Sequence, residues 1–455
     1  MRVTLAARHG ACVAAAAVVA GLAIAPAPAQ AAGDWDGKDH LATLLARQTL
    51  TPGDGWGSAG SGTTGGAAAA ADQIHTVSTR AELIEALGGD NATNRDNDTP
   101  KIVIVDSTIN GFEGPDGSQL SCEDLADPEY SFDAYLATYD PDLWGREIEP
   151  EGPLEDARER SMRNQEAQTV INVGSNTTLF GVDGGQLLHL TLMFNRADNI
   201  IVRNLTMTDA FDCFPQWDPT DGESGNWNSN WDQVSVRRGA NFWFDHNTFV
   251  TPDDDLPEYF GRKYEIYDGQ LDITHTADLV TASYNVFRDH DKGLLIGSTN
   301  NPDRGDPGRL NVTAHHNLFD GLGQRAPRVR FGKVDVYNNY YRLPVSGPFT
   351  YQYSWGVGVE SAIYAENNYF SFGPDTDPAS VIADWGGTAI TERGTWGRTG
   401  HGIGRPMDLL AAYNAVNDPP LGDDAGWVPQ LRHGPVLPAP AVPYVVGALA
   451  GAGLV

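Results

Sequence analysis

The chain has 455 residues and a formal net charge of -30, long enough for one large domain or two to three ordinary ones. An acid excess of this size repels nucleic acid and anionic membrane surfaces, so neither is expected as a partner. It repels a polyanionic ligand too, so any acidic substrate needs cations placed locally to receive it.

The N-terminus reads as a secretion signal over residues 1–31. Arg2 and Arg8 give a positive start, Cys12 to Ile24 is an almost wholly small and apolar run, and Ala29-Gln30-Ala31 supplies the small-x-small cleavage pattern. The apolar run is too short and alanine-rich for an anchor, and Pro26 and Pro28 interrupt its end. A secreted, extracellular protein is expected. Two cysteines then remain, Cys122 and Cys213. In an oxidising compartment an even pair predicts a disulfide, with two buried free thiols as the alternative. Neither has partners at zinc spacing.

Residues 32–72 are rich in Gly, Ala, Ser and Thr and predict an exposed, irregular lead-in. Thr76 to Leu87 carries a capped-helix pattern stopped by Gly88-Gly89, and Lys101 to Asp106 reads as the first buried strand. Residues 111–168 break the pattern with an acidic, aromatic, proline-containing insertion, helical from Pro153 to Gln168 and tied to the body through Cys122.

From Thr169 onward a repeat emerges. Short β-rich runs end in Asn-x-aromatic: Asn247-Thr-Phe249, Asn285-Val-Phe287, Asn317-Leu-Phe319, Asn339-Tyr-Tyr341 and Asn368-Tyr-Phe370, with the asparagines 38, 32, 22 and 29 residues apart. Such a period with one strand cluster per unit and almost no helical signal predicts an all-β solenoid, a parallel β-helix spanning 73–370. Stacked asparagine amides bond along the ladder, and the aromatic residues fill the interior. The unequal gaps are loops on one side, where function concentrates. A propeller or sandwich is the competing architecture, but no blade signature is present. Residues 371–455 form a C-terminal extension, and its apolar end, Val442 to Val455, is too short and glycine-rich to span a bilayer, so it is expected to pack on the domain.

Within the repeat, Asp268 and Asp272 lie four apart and share a face if both are in one strand. Asp232 sits about one coil earlier. With Asn230 nearby, these oxygens make a cup suited to calcium, although no EF-hand loop is present and a single acid is usually solvated. Lys292 follows in an apolar run, and Arg325 and Arg330 flank Pro327. Such arginines ordinarily pair with carboxylates, and grouped beside Lys292 they also suit a sugar carboxylate. His246, His290, His315 and His316 read as hydrogen-bonded core or turn residues rather than ligands.

Taken together, Trp243-Phe-Asp-His246, Asp268-Gly-Gln-Leu-Asp272, Asp291-Lys-Gly-Leu-Leu-Ile-Gly297 and Arg325-Ala-Pro-Arg-Val-Arg330 resemble the pectate lyases of the first polysaccharide lyase family, over roughly 55–370. The resemblance implies a right-handed parallel β-helix and calcium-dependent β-elimination of polygalacturonate. It implies Asp232, Asp268 and Asp272 as calcium-binding acids, Arg325 as the base, and Lys292 and Arg330 as binders of the substrate carboxylate. Asn230 falls where some members carry an aspartate. A monomer is expected. Three alternatives remain open. A β-helix polygalacturonase would use Asp253-Asp-Asp255 and Gly400-His-Gly402, but its other motifs are missing. A pectin lyase acts without calcium and would not need the acids, and a non-enzymatic glycan-binding or adhesion protein would not need Arg325 and Lys292 beside the acids.

Overall fold

A computed structural model describes residues 37–251, 256–344 and 349–455. The expected leader at 1–31 and the Asp253–Asp255 run lie outside the described residues. The fold is a parallel β-helix. Three sheets of ten, eight and ten strands run the length of the solenoid. The ladders within them are parallel, apart from the last pair of the third sheet, Trp396–Thr399 with Arg405–Pro406.

Each coil contributes one short strand to each sheet. Val234–Arg237 lies in the second sheet, Ala240–Asp245 in the first and Thr248–Val250 in the third, and the next coil repeats the order with Leu271–Thr274, Asp278–Ser283 and Val286–Arg288. Strand alternation sends Leu271 and Ile273 into the core and turns Asp272 outward. Long connections enter between the third sheet and the second, as at 111–169 and 209–233, so most insertions gather along one edge of the second sheet, while 297–311 joins the second sheet to the first.

The asparagine repeat forms the expected ladder. Asn247 donates from Nδ2 to Asn285 Oδ1 (3.0 Å), Asn285 to Asn317 (3.0 Å), Asn317 to Asn339 (3.0 Å) and Asn339 to Asn368 (3.2 Å). All five are fully buried. The residue before each asparagine, His246, Tyr284, His316, Asn338 and Asn367, takes a left-handed φ between 51° and 56°. That conformation turns the chain from the first sheet into the third, and the amide ladder satisfies polar groups that the turn would leave unpaired. Inside, Phe249, Phe287, Phe319, Tyr341 and Phe370 stack with centroids 4.2–5.2 Å apart.

The repeat does not end with Phe370. A further coil, Ile382–Trp385, Ile390–Arg393 and Trp396–Thr399, extends the stack. At the other end, the lead-in is less irregular than its composition implies. It holds a helix, Gly37–Ala46, and then lies across the outer face of the first sheet. There Gly57 and Gly66 donate backbone N–H groups to Thr281 and Thr178 Oγ1 at 3.0 and 2.9 Å. A Cβ on Gly66 would come within 1.9 Å of the Lys101 carbonyl oxygen, so this close approach requires glycine. The expected helix starts later than its pattern: Ile74–Val77 is a strand that precedes Lys101–Val105 in the first sheet, and the helix is Arg80–Leu87, capped reciprocally by Thr79 and Glu82.

The insertion is tied down as its cysteine implied, by a Cys122–Cys213 disulfide. Its main helix, Pro153–Thr169, and the shorter Phe132–Thr138 press Tyr135 and Tyr139 against Trp217 and Trp227 from a hairpin of the 211–233 loop. A buried ion pair, Arg158 Nη2 to Glu155 Oε1 at 2.6 Å, stiffens this cap, and Arg158 Nη1 donates to the Phe214 carbonyl. The C-terminal extension packs on the third sheet through a helix, Val442–Leu449, with Val442 and Val446 buried against Val286, Leu318 and Tyr340. Among the described residues no helix is long and apolar enough to cross a membrane.

Candidate functional site

Four of the singled-out residues fall just before strands of the second sheet, on successive coils. Asp232 precedes Val234–Arg237, Asp268 precedes Leu271–Thr274, Lys292 precedes Leu294–Ile296 and Arg325 precedes Arg328–Val329. The parallel register brings them together: Gln270 N–H donates to the Lys292 carbonyl at 3.1 Å, and Lys292 pairs in turn with Gln324. Asp272 is inside its strand whereas Asp268 is in the preceding loop, so the two converge across a strand start rather than along one strand.

Asp232 and Asp272 meet over Gly269. A Cβ built there would lie 2.8 Å from Asp232 Oδ1 and 2.9 Å from Asp272 Oδ1. Both acids are buried, and Asp232 Oδ1 has no hydrogen-bond partner. Burial, then the charges of Asp272 and Asp268, push the Asp232 carboxyl well above the ordinary range. Burial and Asp268 raise Asp272 to about 7. Among the described residues no three His, Cys, Asp or Glu side chains are drawn close enough to hold a metal ion outright. The donor set still fits a hard cation: all oxygen, an orphaned buried carboxylate atom, and acids whose mutual repulsion a divalent charge would relieve.

Asp268 is held differently. Its Oδ1 lies 3.4 Å from Lys292 Nζ, while Glu265 Oε1 binds the same ammonium at 2.7 Å. Burial opposes the ammonium charge, but Asp268 and Glu265 outweigh it, so Lys292 stays protonated. Asn230, considered as a further oxygen donor, is engaged elsewhere, donating to buried Asp212 from its backbone (3.0 Å) and its side chain (3.2 Å).

Arg325 departs from the ladder. Lys292 pairs with Gln324 and Leu295 with Arg328, so the later strand carries one extra residue, and Arg325 takes φ 58° ahead of a cis Ala326–Pro327 peptide. An extra residue of this kind re-aims a side chain. Its Nε is buried without a hydrogen-bond partner. Burial disfavours its charge, yet Asp272 and Asp268 more than offset this and hold it protonated. Arg330 sits further along. It donates from Nε to Asn300 Oδ1 and from Nη1 to the Gly297 carbonyl, both at 2.7 Å. Burial and the neighbouring Arg328 and Arg325 lower it to about 10.

Lys292 and Arg325 form part of the wall of a groove of about 760 Å³. Its other walls include residues that the sequence did not reveal as functional: Arg262 and Lys263 on a hairpin, Glu265 in the loop after it, and Arg328 and Trp385 on second-sheet strands. The Arg328 guanidinium lies 3.8 Å from the Trp385 ring centroid. In a chain with twice as many acids as bases, a groove lined by five Arg and Lys beside four Asp and Glu residues is locally enriched in the cations that an anionic ligand requires. The four histidines are structural in geometry. His290 is buried and accepts from the Lys292 N–H at 2.9 Å, His246 bonds Asp245, and His315 and His316 face one another. Gly400-His-Gly402 is an exposed turn after the final coil, remote in chain order from the groove-lining acids.

The comparisons agree with one another. The family model for pectate lyase matches residues 151–400. A pectate lyase of Bacillus subtilis (strain 168) is 41% identical over 414 residues, covering 90% of this chain and 94% of that protein. Pectate lyase E of Dickeya chrysanthemi is 32% identical over 353 residues, 75% and 74% of the two chains. Among solved structures, a thermostable pectate lyase superposes with a TM-score of 0.88 at 43% identity, covering 90% of this chain and 99% of the other. A pectate lyase bound to a hexasaccharide gives 0.83 at 40%, with the same coverage.

Proposed function

Because the chain belongs to the pectate lyase family and is a polysaccharide lyase, we propose that it cleaves polygalacturonate by calcium-dependent β-elimination, leaving an unsaturated uronate end. The observation that carries this reading is the convergence of Asp232 and Asp272 over Gly269, beside Asp268, Lys292 and Arg325 at the start of successive second-sheet strands.

Asp232, Asp268 and Asp272 are the residues that would hold calcium. When bound, the ion supplies Lewis-acid polarisation of a uronate carboxylate, which acidifies the adjacent C5 proton. Lys292 and Arg330 pair with that carboxylate and stabilise the charge that builds on it. Arg325 takes the C5 proton. The C5–H electron pair becomes the C4–C5 double bond, the C4–oxygen bond breaks, and the departing oxygen takes a proton from water. A guanidine base is demanding, since the free group loses its proton only above about pH 12. Asp272 and Asp268 hold Arg325 charged, so neutralising those acids lets the proton go more readily. The buried position of Arg325 points the same way, because desolvation disfavours its charged form.

Export after removal of residues 1–31 and action as an extracellular monomer belong to the same proposal, and the Cys122–Cys213 disulfide supports an oxidising compartment. One experiment separates the alternatives. The purified protein is incubated with polygalacturonate, with and without chelator, while ultraviolet absorbance of the unsaturated product is followed. Absorbance that grows only with calcium supports the lyase. New reducing ends without absorbance mean a hydrolase, chelator-resistant cleavage of methylated pectin means a pectin lyase, and no product from either polymer means a binding protein.

A further inference from the structure

A second cleft, of about 360 Å³, opens on the outer face of the third sheet and shares no residue with the catalytic groove. Its floor is Tyr340 and Tyr369, its sides are Trp396 and Arg398, and Tyr444 and Pro443 close it from the C-terminal helix. The volume lies within the range of small-ligand clefts, roughly 300–1,000 Å³.

Tyr444 is 80% exposed. It sits on a helix whose other face is fixed, with Val442 and Val446 fully buried against the sheet. A large aromatic face is therefore presented to solvent on a rigid support, which limits the entropy lost when a flat ligand covers it. Half-buried Trp396 offers a second ring. Sugar rings carry apolar C–H faces that pack on such surfaces, while their hydroxyl and carboxylate groups reach the polar margin.

Arg398 identifies the margin as one for an anion. Along this column of the third sheet, Arg342 lies opposite Asp320 and pairs with it. The ladder neighbour of Arg398 is Ser371, whose hydroxyl accepts from Arg398 Nε at 3.1 Å. Among the described residues Arg398 has no carboxylate within ion-pair distance. With no carboxylate beside it among the described residues, Arg398 can receive an anionic group, and its planar fork matches a carboxylate.

We propose that this cleft is a second, non-catalytic binding site for a polyuronate chain, with Tyr444 and Trp396 stacking sugar rings and Arg398 receiving a carboxylate. The identity of the sugar rests on the polygalacturonate reading above. Its role is to hold the enzyme on a polymer whose cleavage occurs on another face.

Affinity electrophoresis of the full chain through gels containing polygalacturonate, run with chelator so that turnover is silent, tests this. The wild-type protein is expected to be retarded. Arg398→Ala and Tyr444→Ala, both at exposed positions, are each expected to weaken retardation roughly tenfold, the loss of one charged hydrogen-bonding group or one stacking ring. Their calcium-dependent turnover of soluble trigalacturonate is expected to equal that of wild type. No retardation of wild type, unchanged retardation of both variants, or equal retardation in a neutral glucan gel overturns the second site. Absence of wild-type turnover instead strikes the proposed function, and the gel still reports the cleft independently.

Discussion

Glu265 Oε1 lies 2.7 Å from Lys292 Nζ, closer than Asp268 Oδ1 at 3.4 Å. The Lys292 ammonium is thus drawn away from an acid proposed to bind calcium by one that is not. With Glu265→Gln, the amide still accepts a hydrogen bond but no longer attracts a charge, and Lys292 falls back on Asp268. The half-saturating calcium concentration is expected to rise about tenfold, as loss of one charged hydrogen bond implies. Calorimetric calcium titration of the variant checks this, and an unchanged affinity would dismiss Glu265 as a positioning residue.

Arg325→Lys keeps a cation beside Asp272 and Asp268, so fold and calcium binding should persist. Lysine lacks the length and planar fork to reach the same proton. Turnover is expected to fall by about 10² to 10⁴, the usual share of a general base. Steady-state rates on polygalacturonate, paired with a calcium titration, decide the matter, and near-normal turnover would remove Arg325 from the chemistry.

Asp232 is buried with an unpartnered carboxylate oxygen beside other acids. Asp232→Asn removes that repulsion, so the calcium-free protein should gain about 1–3 kcal/mol, while losing most of the stabilisation that calcium gives wild type. Melting with and without calcium should show a higher chelated midpoint and a smaller calcium-induced rise. A calcium rise equal to that of wild type would contradict the assignment.

Asn317 lies mid-ladder, accepting from Asn285 N–H (2.9 Å) and Nδ2 (3.0 Å) and donating to the Ala282 carbonyl (2.9 Å). Asn317→Ala strands these groups in the core, each at about 1–3 kcal/mol, for a total loss of about 3–9 kcal/mol. Denaturant unfolding measures it, and a loss below about 1 kcal/mol would mean that the ladder is dispensable.

His290 is buried, and burial, with Lys292 and Arg325 adding to it, lowers its pKa to about 3 from the ordinary 6.5. Between these values the unfolded chain binds a proton that the folded one excludes. Stability from this group is therefore complete above pH 6.5 and falls by about 1.4 kcal/mol per pH unit below it. His290→Gln should flatten the decline in unfolding free energy between pH 6 and pH 4, roughly the upper part of that window. A slope identical to that of wild type would place the acid sensitivity elsewhere.

The solenoid was legible in the sequence because a buried ladder demands the same residue on every coil. Asn247 through Asn368 and their aromatic partners repeat visibly for that reason. The residues proposed for the site were legible as motifs, and the register explains why distant motifs meet. Glu265, Arg328 and Trp385 were not legible: Glu265 sits in a loop whose length carries no period, and Arg328 and Trp385 stand on short strands whose place at the groove depends on the register of earlier coils. Nor was the lead-in: glycine-rich composition signals irregularity, and here it serves close packing over Thr178 and Thr281. Helix Gly37–Ala46 lacks a strong amphipathic stripe and was hidden in the same stretch.

The C-terminal extension does more than cover the third sheet. Leu437 is bonded to Asn338 and Asn367, Gly451 to the Tyr284 carbonyl, Ala452 to Thr248, and Gly453 and Val455 to Asn204, close to helix Gly37–Ala46. A bare stack of repeats touches only its neighbours and can unzip from either end. A strap laced backward from Asn367, one coil before the last, to Asn204 makes loosening of a late coil cost contacts several coils earlier. The solenoid should therefore melt as one unit, in a single transition, where an unstrapped array of the same length would fray in stages.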